Sequence, residues 1–176
     1  KVKERYNGSG ATVRGFNVEG RAAFTRWFEL QAGVTLQQSR YKEPEFWSED
    51  AEVPPVRRMF RTPDTYGYFT ASFKPVRNFT ADLSGTCTGS MLVQHMAGSG
   101  VAQDVAVSTP SFFDMNIRLS YDVRIYKEIT MQLYGGVQNL FNAYQKDFDK
   151  GVDRDSGYIY GPSLPRSWFV GAKVSF

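Results

Sequence analysis

The chain has 176 residues, a net charge of +3, one cysteine and one histidine. That length suffices for a single domain with a core. The charge is too small and too scattered for a nucleic-acid partner, and the lone Cys87 excludes an internal disulfide framework. No run of about 18 apolar residues is present, which excludes a transmembrane helix. The mean hydropathy of −0.40 does not speak against a β-barrel, because half of each spanning strand faces a wet interior. The chain opens on Lys1 without a signal peptide, as expected of a processed protein or a piece of a longer one.

Seven segments predict strands, near 11–24, 28–41, 63–74, 79–93, 111–125, 128–141 and 167–176. In the second, Phe28, Leu30, Ala32, Val34 and Leu36 alternate with Glu29, Gln31, Gly33, Thr35 and Gln37. The first and fourth follow the same rule with more glycine. The third is ambiguous, because Tyr66 and Tyr68 occupy its nominally polar face. The fifth is the clearest: Phe113, Met115, Ile117, Leu119, Tyr121, Val123 and Ile125 alternate with Asp114, Asn116, Arg118, Ser120, Asp122 and Arg124. No 3.6-residue period fits it, so it reads as a strand with one apolar and one polar face. The sixth sets Ile129, Met131, Leu133, Gly135 and Val137 against Thr130, Gln132, Tyr134, Gly136 and Gln138. In the last, Trp168, Val170, Ala172, Val174 and Phe176 share one face and Gly171, Lys173 and Ser175 the other, broken by Phe169.

The connections fall into two sizes. Short ones lie at 25–27, 75–78 and 126–127; long ones lie at about 42–62, 94–110 and 142–166. They alternate, so all short turns belong at one end of the strands and all long loops at the other. That segregation is the mark of an outer-membrane barrel, with short periplasmic turns and long outer loops. The strand lengths also reach the roughly 9–11 residues that a tilted spanning strand needs. Chain ends usually fray; a strand running out to Phe176 is explained by an aromatic ring at the membrane interface, with Trp168 at the other edge of the apolar band.

The stretch Gly136-Val-Gln-Asn-Leu-Phe-Asn-Ala-Tyr144 resembles the penultimate-strand motif of TonB-dependent outer-membrane receptors. Tyr158, Tyr160, Pro165-Arg166 and the terminal Phe176 follow in that family's order, and Gly15-Phe-Asn-Val-Glu19 loosely matches a strand start with Asn17 at its acidic position. The resemblance implies a large barrel, 22-stranded in such transporters, closed by an N-terminal plug. This chain then corresponds to about the C-terminal third, residues 1–176, with the plug absent. It further implies energy-coupled uptake of a bulky nutrient such as a ferric chelate, haem, cobalamin or glycan. The implied partners are outer-membrane lipid, a TonB complex reached through the plug, and the barrel-assembly machinery, which reads the strand ending in Phe176.

Candidate ligand-binding residues lie in the long loops. His95, in Met91-Leu-Val-Gln-His-Met96, offers a soft ligand for haem or metal or is an ordinary loop-end histidine. Tyr41, Tyr144, Tyr158 and Tyr160 either stack on an aromatic ligand or form the outer aromatic girdle. Arg57, Arg58 and Arg61 attract anionic chelates if they face the lumen, or anionic lipid if they face out. The alternating aspartates of Asp147–Gly157 suggest calcium, but the pattern's final Glu is replaced by Leu164, so a solvated loop is expected and no metal or cofactor is assigned. Asp114, Arg118, Asp122 and Arg124 pair either across strands or with a plug. No catalytic constellation is present.

The expected fold is all-β: an antiparallel, up-and-down transmembrane barrel portion in a bacterial outer membrane. Leu119, Ile117, Val123, Leu133, Val170 and Val174 are expected to face out, and Arg118, Asp122, Gln132 and Lys173 in. Two alternatives stay open. One is a complete small outer-membrane barrel acting as pore, adhesin or scaffold, which needs an even strand number and thus part of a strand within Lys1–Gly10. The other is a soluble lipocalin-like barrel with its apolar face inside.

Overall fold

The computed structural model describes residues 8–176. Ten strands follow in order: β1 (Ala11–Thr25), β2 (Phe28–Glu45), β3 (Val56–Arg58), β4 (Thr65–Val76), β5 (Phe79–Thr88), β6 (Leu92–His95), β7 (Val105–Ser108), β8 (Phe112–Tyr126), β9 (Ile129–Gln138) and β10 (Ser167–Ser175). The main sheet runs β1-β2-β4-β5-β8-β9-β10 with every pairing antiparallel, and β3 adds a short rung to β2. It is an up-and-down meander, so all two-residue turns (26–27, 77–78, 127–128) fall at one end and all long connections at the other. β1 and β10 are not paired with each other among the described residues, so the sheet is open. Whether residues 1–7 contribute another strand lies outside the described residues.

The register puts the two sequence periods on two faces. Arg118, Gly136 and Phe169 share a row, as do Ile117 and Val137. One face carries the polar alternates, and their hydrogen bonds run across strands: Arg21 to Glu29, Gln31 to Glu19 and Tyr68, Asn17 to Thr35, Ser72 to Asp82, Arg118 to Gln132 and Gln132 to Asp122. The Arg118 guanidinium also lies 4.5 Å from the centre of the Tyr134 ring. The other face carries Phe16, Val34, Leu36, Leu119, Leu133, Val170 and Val174, all exposed, with Val170 at 90%. Aromatic rings gather at both ends of this bare face. Phe28, Trp27 and Phe73 cluster at the turn end, and Phe69, Phe113 and Phe141 at the loop end.

The position of Tyr68 on the polar face has a local cause. Tyr68 lies opposite Gly33, where a Cβ would stand 2.7 Å from its ring. Phe169 covers Gly136 in the same way, which explains the break in the last strand's alternation. A large ring laid over a neighbouring glycine fills the gap and fixes register.

Three boundaries differ from the sequence expectation by more than two residues. The strand expected over 79–93 ends at Thr88, and 92–95 forms a separate hairpin with β7 inside the long connection. Gly89 makes the last bond to β4, its N–H donating to the Thr65 carbonyl at 2.8 Å, and a Cβ there would be 2.7 Å from that oxygen. β2 continues past 41 to Glu45 because β1 and β3 flank its outer part. β9 stops at Gln138 rather than 141 because Asn139 adopts φ 50°.

Candidate functional site

The three long connections pack together at one end of the sheet. Their small core is Val93 on β6 with Tyr158 and Tyr160, supported by Met91, Val107 and Phe112. Phe112 is the first residue of β8 and belongs to its polar face, like Asp114 and Asn116. It sits under Gly161, whose φ of 82° lets the loop backbone approach the ring. The loop layer therefore rests on the polar face of the wall. Thr35 and Ser39, on the polar face of β2, are buried, whereas the apolar alternates Val34 and Leu36 remain bare.

The layer is cross-linked by buried polar groups. Asp147 accepts hydrogen bonds from the Tyr158 hydroxyl at 2.8 Å and the Tyr160 hydroxyl at 2.5 Å. Burial pushes the Asp147 carboxyl up, but the hydrogen bonds from Tyr160 and Tyr158, with those from the backbone and Gln145, together outweigh it and the net shift is downward. Burial, then the bond to Asp147, pushes the Tyr158 hydroxyl up to about 12, and Tyr160 is raised by the same causes. Gln145 donates to the Tyr158 carbonyl and accepts from the Tyr160 N–H. The His95 ring stacks on Tyr158 with centroids 3.7 Å apart, and its Nε2 lies 3.0 Å from Asp149 Oδ1. The other Asp149 oxygen accepts the Asp155 N–H, the main cause of its lowered pKa.

The other expected residues are placed as follows. Arg61 donates to the carbonyls of Ile159 and Gly157, tying the first long connection to the last. Arg58 donates to the Ser90 carbonyl at 2.7 Å and pairs with Asp64. Arg57 is exposed beside Glu43, 3.5 Å away. Tyr41 is half-buried on the polar face of β2. Trp168 lies exposed on the apolar face at the loop end of β10, and Phe176 follows the last strand residue, fully exposed.

The Asn139-Leu-Phe-Asn142 motif has a structural job. Asn139, buried at φ 50°, donates to the carbonyls of Ala143 and Leu164 and accepts the Ala143 N–H, while Asn142 accepts the Arg166 N–H. The two asparagines thus close the base of the 139–166 connection. A cleft of about 510 Å³ opens in that connection, walled by Tyr144, Phe148, Tyr158, Ile159 and Pro162, with Arg154 at its margin.

Asp147, Asp149, Gln145 and Asn139 carry the layer but were not singled out as partners by the sequence. Their contacts span up to 54 positions, beyond any local pattern. Among the described residues, no group of three or more His, Cys, Asp or Glu side chains is arranged to hold a metal ion. The carboxylates of Asp147, Asp149 and Asp155 are instead engaged by tyrosines, by His95 and by backbone N–H groups.

No protein-family model and no curated protein matches the chain. Among solved structures, it is similar to the ferric-catecholate import receptor Fiu of E. coli K12 in its closed form, with a TM-score of 0.64 and 20% sequence identity. The match covers 92% of this chain and 20% of the receptor. The chain spans about a fifth of that receptor's length, and its fold, an all-β, antiparallel up-and-down sheet, is like that of the matched stretch.

Proposed function

We propose that the chain is the wall and outer-loop portion of a TonB-dependent active transporter in a bacterial outer membrane, importing a bulky nutrient such as a ferric chelate, haem, cobalamin or glycan. The observation that carries this reading is the two-sidedness of the sheet. An apolar face ringed by aromatics at both ends stands bare, while loops roof the polar face at one end only. A soluble barrel would bury its apolar face. The fold likeness to an import receptor supports the same reading.

In this proposal the outer loops make the ligand contacts, through Arg57, Arg58, Arg61, His95, Tyr158 and Tyr160. Arg57 offers an exposed cation beside Glu43, whereas the other five hold the walls of the loop layer, including the cleft beside Tyr158 and Tyr160. Trp168 and Phe176 serve membrane anchoring and assembly by the barrel-assembly machinery. The TonB complex acts through a plug outside this chain. No catalytic step is assigned.

The test is uptake by cells that express the full-length gene. Radiolabelled ferric catecholate, haem, cobalamin and oligosaccharide are offered with and without an active TonB complex. Energy-dependent accumulation of one of them supports the proposal. Passive, unselective flux would favour a pore instead, and a protein absent from the outer-membrane fraction would refute both.

A further inference from the structure

We propose that Arg14, Arg40 and Lys42 form a docking site for the phosphates of an outer-leaflet lipid. The inference rests on the outer-membrane reading above and adds a specific lipid site to it. Along the seven long strands, the described residues of the apolar face carry charge only at these positions. All other strand charges, among them Glu19, Arg21, Glu29, Asp82, Asp114, Arg118, Asp122, Arg124 and Lys173, fall on the polar face by register.

The three are neighbours. Arg40 pairs with Thr12, Arg14 pairs with Gln38, and Lys42 lies opposite Gly10, its N–H donating to the Gly10 carbonyl at 3.0 Å. Arg14 and Arg40 are therefore diagonal partners, roughly 7–8 Å apart. Lys42 is two residues further along the same face. The lysine stem lies along Gly10: a Cβ there would meet Lys42 Cδ and Cε at 3.7 Å, an ordinary contact. All three side chains are exposed, and none has a carboxylate partner among the described residues, unlike Arg21, Arg57 and Arg58.

Their height fits a headgroup layer. From Phe28 to Leu36 the apolar face of β2 rises about 20 Å, at roughly 3.3 Å per residue and a tilt near 40°, close to the roughly 25 Å apolar band. Arg14 then lies about 5 Å above Phe16, and Arg40 about 10 Å above Leu36. The polar layer beyond the hydrocarbon is roughly 5–8 Å thick on each side. Cations at the band's centre are strongly disfavoured, and the penalty fades at its edge. A cluster confined to the outer edge, of one sign and without a carboxylate partner among the described residues, is complementary to lipid phosphate.

The test uses the full-length protein purified from outer membranes in mild detergent. Native mass spectrometry reads retention of added lipid A carrying two phosphates, its dephosphorylated counterpart, and inorganic phosphate. The triple variant Arg14→Gln, Arg40→Gln, Lys42→Gln is compared with a charge-matched control, Lys146→Gln, Lys150→Gln, Lys173→Gln. Affinity of the triple variant for phosphorylated lipid should fall roughly fivefold per cation, about 100-fold in all, the usual worth of basic side chains at an anionic membrane surface. The control should bind as wild type, and the dephosphorylated lipid should bind weakly throughout. Equal lipid retention by both variants, or inorganic phosphate competing as well as lipid A, would overturn the site. Membrane fractionation and heat-modifiable migration of the wild type are read in parallel. A wild-type protein that fails those tests defeats the outer-membrane reading itself; one that passes while the triple variant keeps its lipid defeats only this site.

Discussion

The wall and the loop layer of this chain solve opposite solvent problems. The loop layer has buried apolar side chains of its own: Val53, Val93, Tyr158 and Tyr160 are buried, with Val93 wholly inaccessible. In the wall, Val137 is the one strand apolar residue of the main sheet so buried among the described residues, and the large apolar side chains point outward in a continuous field. The same alternation that builds a half-buried strand in water leaves the wall here with one bare apolar face and one polar face. The polar groups show the reverse: cross-strand pairs on the wall's polar face are open, while the loop carboxylates Asp147 and Asp149 are enclosed by partners.

The largest separation of the two regions should come from Tyr158→Ala. It removes the buried ring between His95 and Tyr160 and should cost the loop layer about 3 kcal/mol or more, as truncation of a buried aromatic does. Hydrogen exchange should rise over 92–108 and 142–166 while heat-modifiable migration of the barrel stays unchanged. A collapse of both together would mean the layer and wall are one cooperative unit. Tyr158→Phe keeps the stack and loses only the bond to Asp147, so about 1 kcal/mol is expected.

Leu119→Arg makes the converse cut. A cation in the middle of the apolar face should destabilise the wall by about 2–4 kcal/mol, read from urea unfolding in phospholipid vesicles, with loop exchange unaffected until the wall opens. The same change in a soluble protein at an exposed site would fall within about 0.5 kcal/mol.

Within the wall, two glycines should part company. A Cβ on Gly136 would lie 2.0 Å from the Ile117 carbonyl oxygen and 2.7 Å from the Phe169 ring. Gly136→Ala should therefore cost about 1–3 kcal/mol by overpacking. Gly20 has nothing within 4 Å, and Gly20→Ala should be neutral or gain up to about 1 kcal/mol through the unfolded chain. Unfolding midpoints of the two variants decide it.

The wall was legible because it repeats every two residues, and one apolar face is enough to state its fold. The failures have local causes. Met91-Leu-Val-Gln94 continues the alternation of β5, yet β5 ends at Thr88 and 92–95 pairs with β7 in a separate hairpin. The loop layer was legible only as a set of residue types. Tyr158, Tyr160 and His95 stood out by chemistry, but their partners Asp147 and Asp149 come from tertiary folding, and the role of Arg61 as a tie to Gly157 and Ile159 spans nearly a hundred positions. The cations Arg14, Arg40 and Lys42 were readable as exceptions to the apolar face once the register of β1 on β2 was known.

Acid should sharpen the contrast with the smallest effect. The carboxyls of Asp147 and Asp149 have folded pKa values below their unfolded ones, which lie near 3.9. Their contribution is therefore fully present above about pH 5 and lost as pH falls through the lowered folded values. Loop-layer exchange, corrected for intrinsic rates, should rise below about pH 4 before the wall responds. Asp149→Asn should flatten part of that rise.

The central claim is that the wall's apolar face meets lipid and its polar face meets water. Spin labels at positions 118 and 119 of the full-length protein, reconstituted in vesicles, test it directly by relaxation with oxygen and with a water-soluble nickel chelate. The account predicts a label at 119 relaxed by oxygen and shielded from nickel, and a label at 118 with the opposite response. Position 118 in lipid and 119 in water would invert every face and contradict the account.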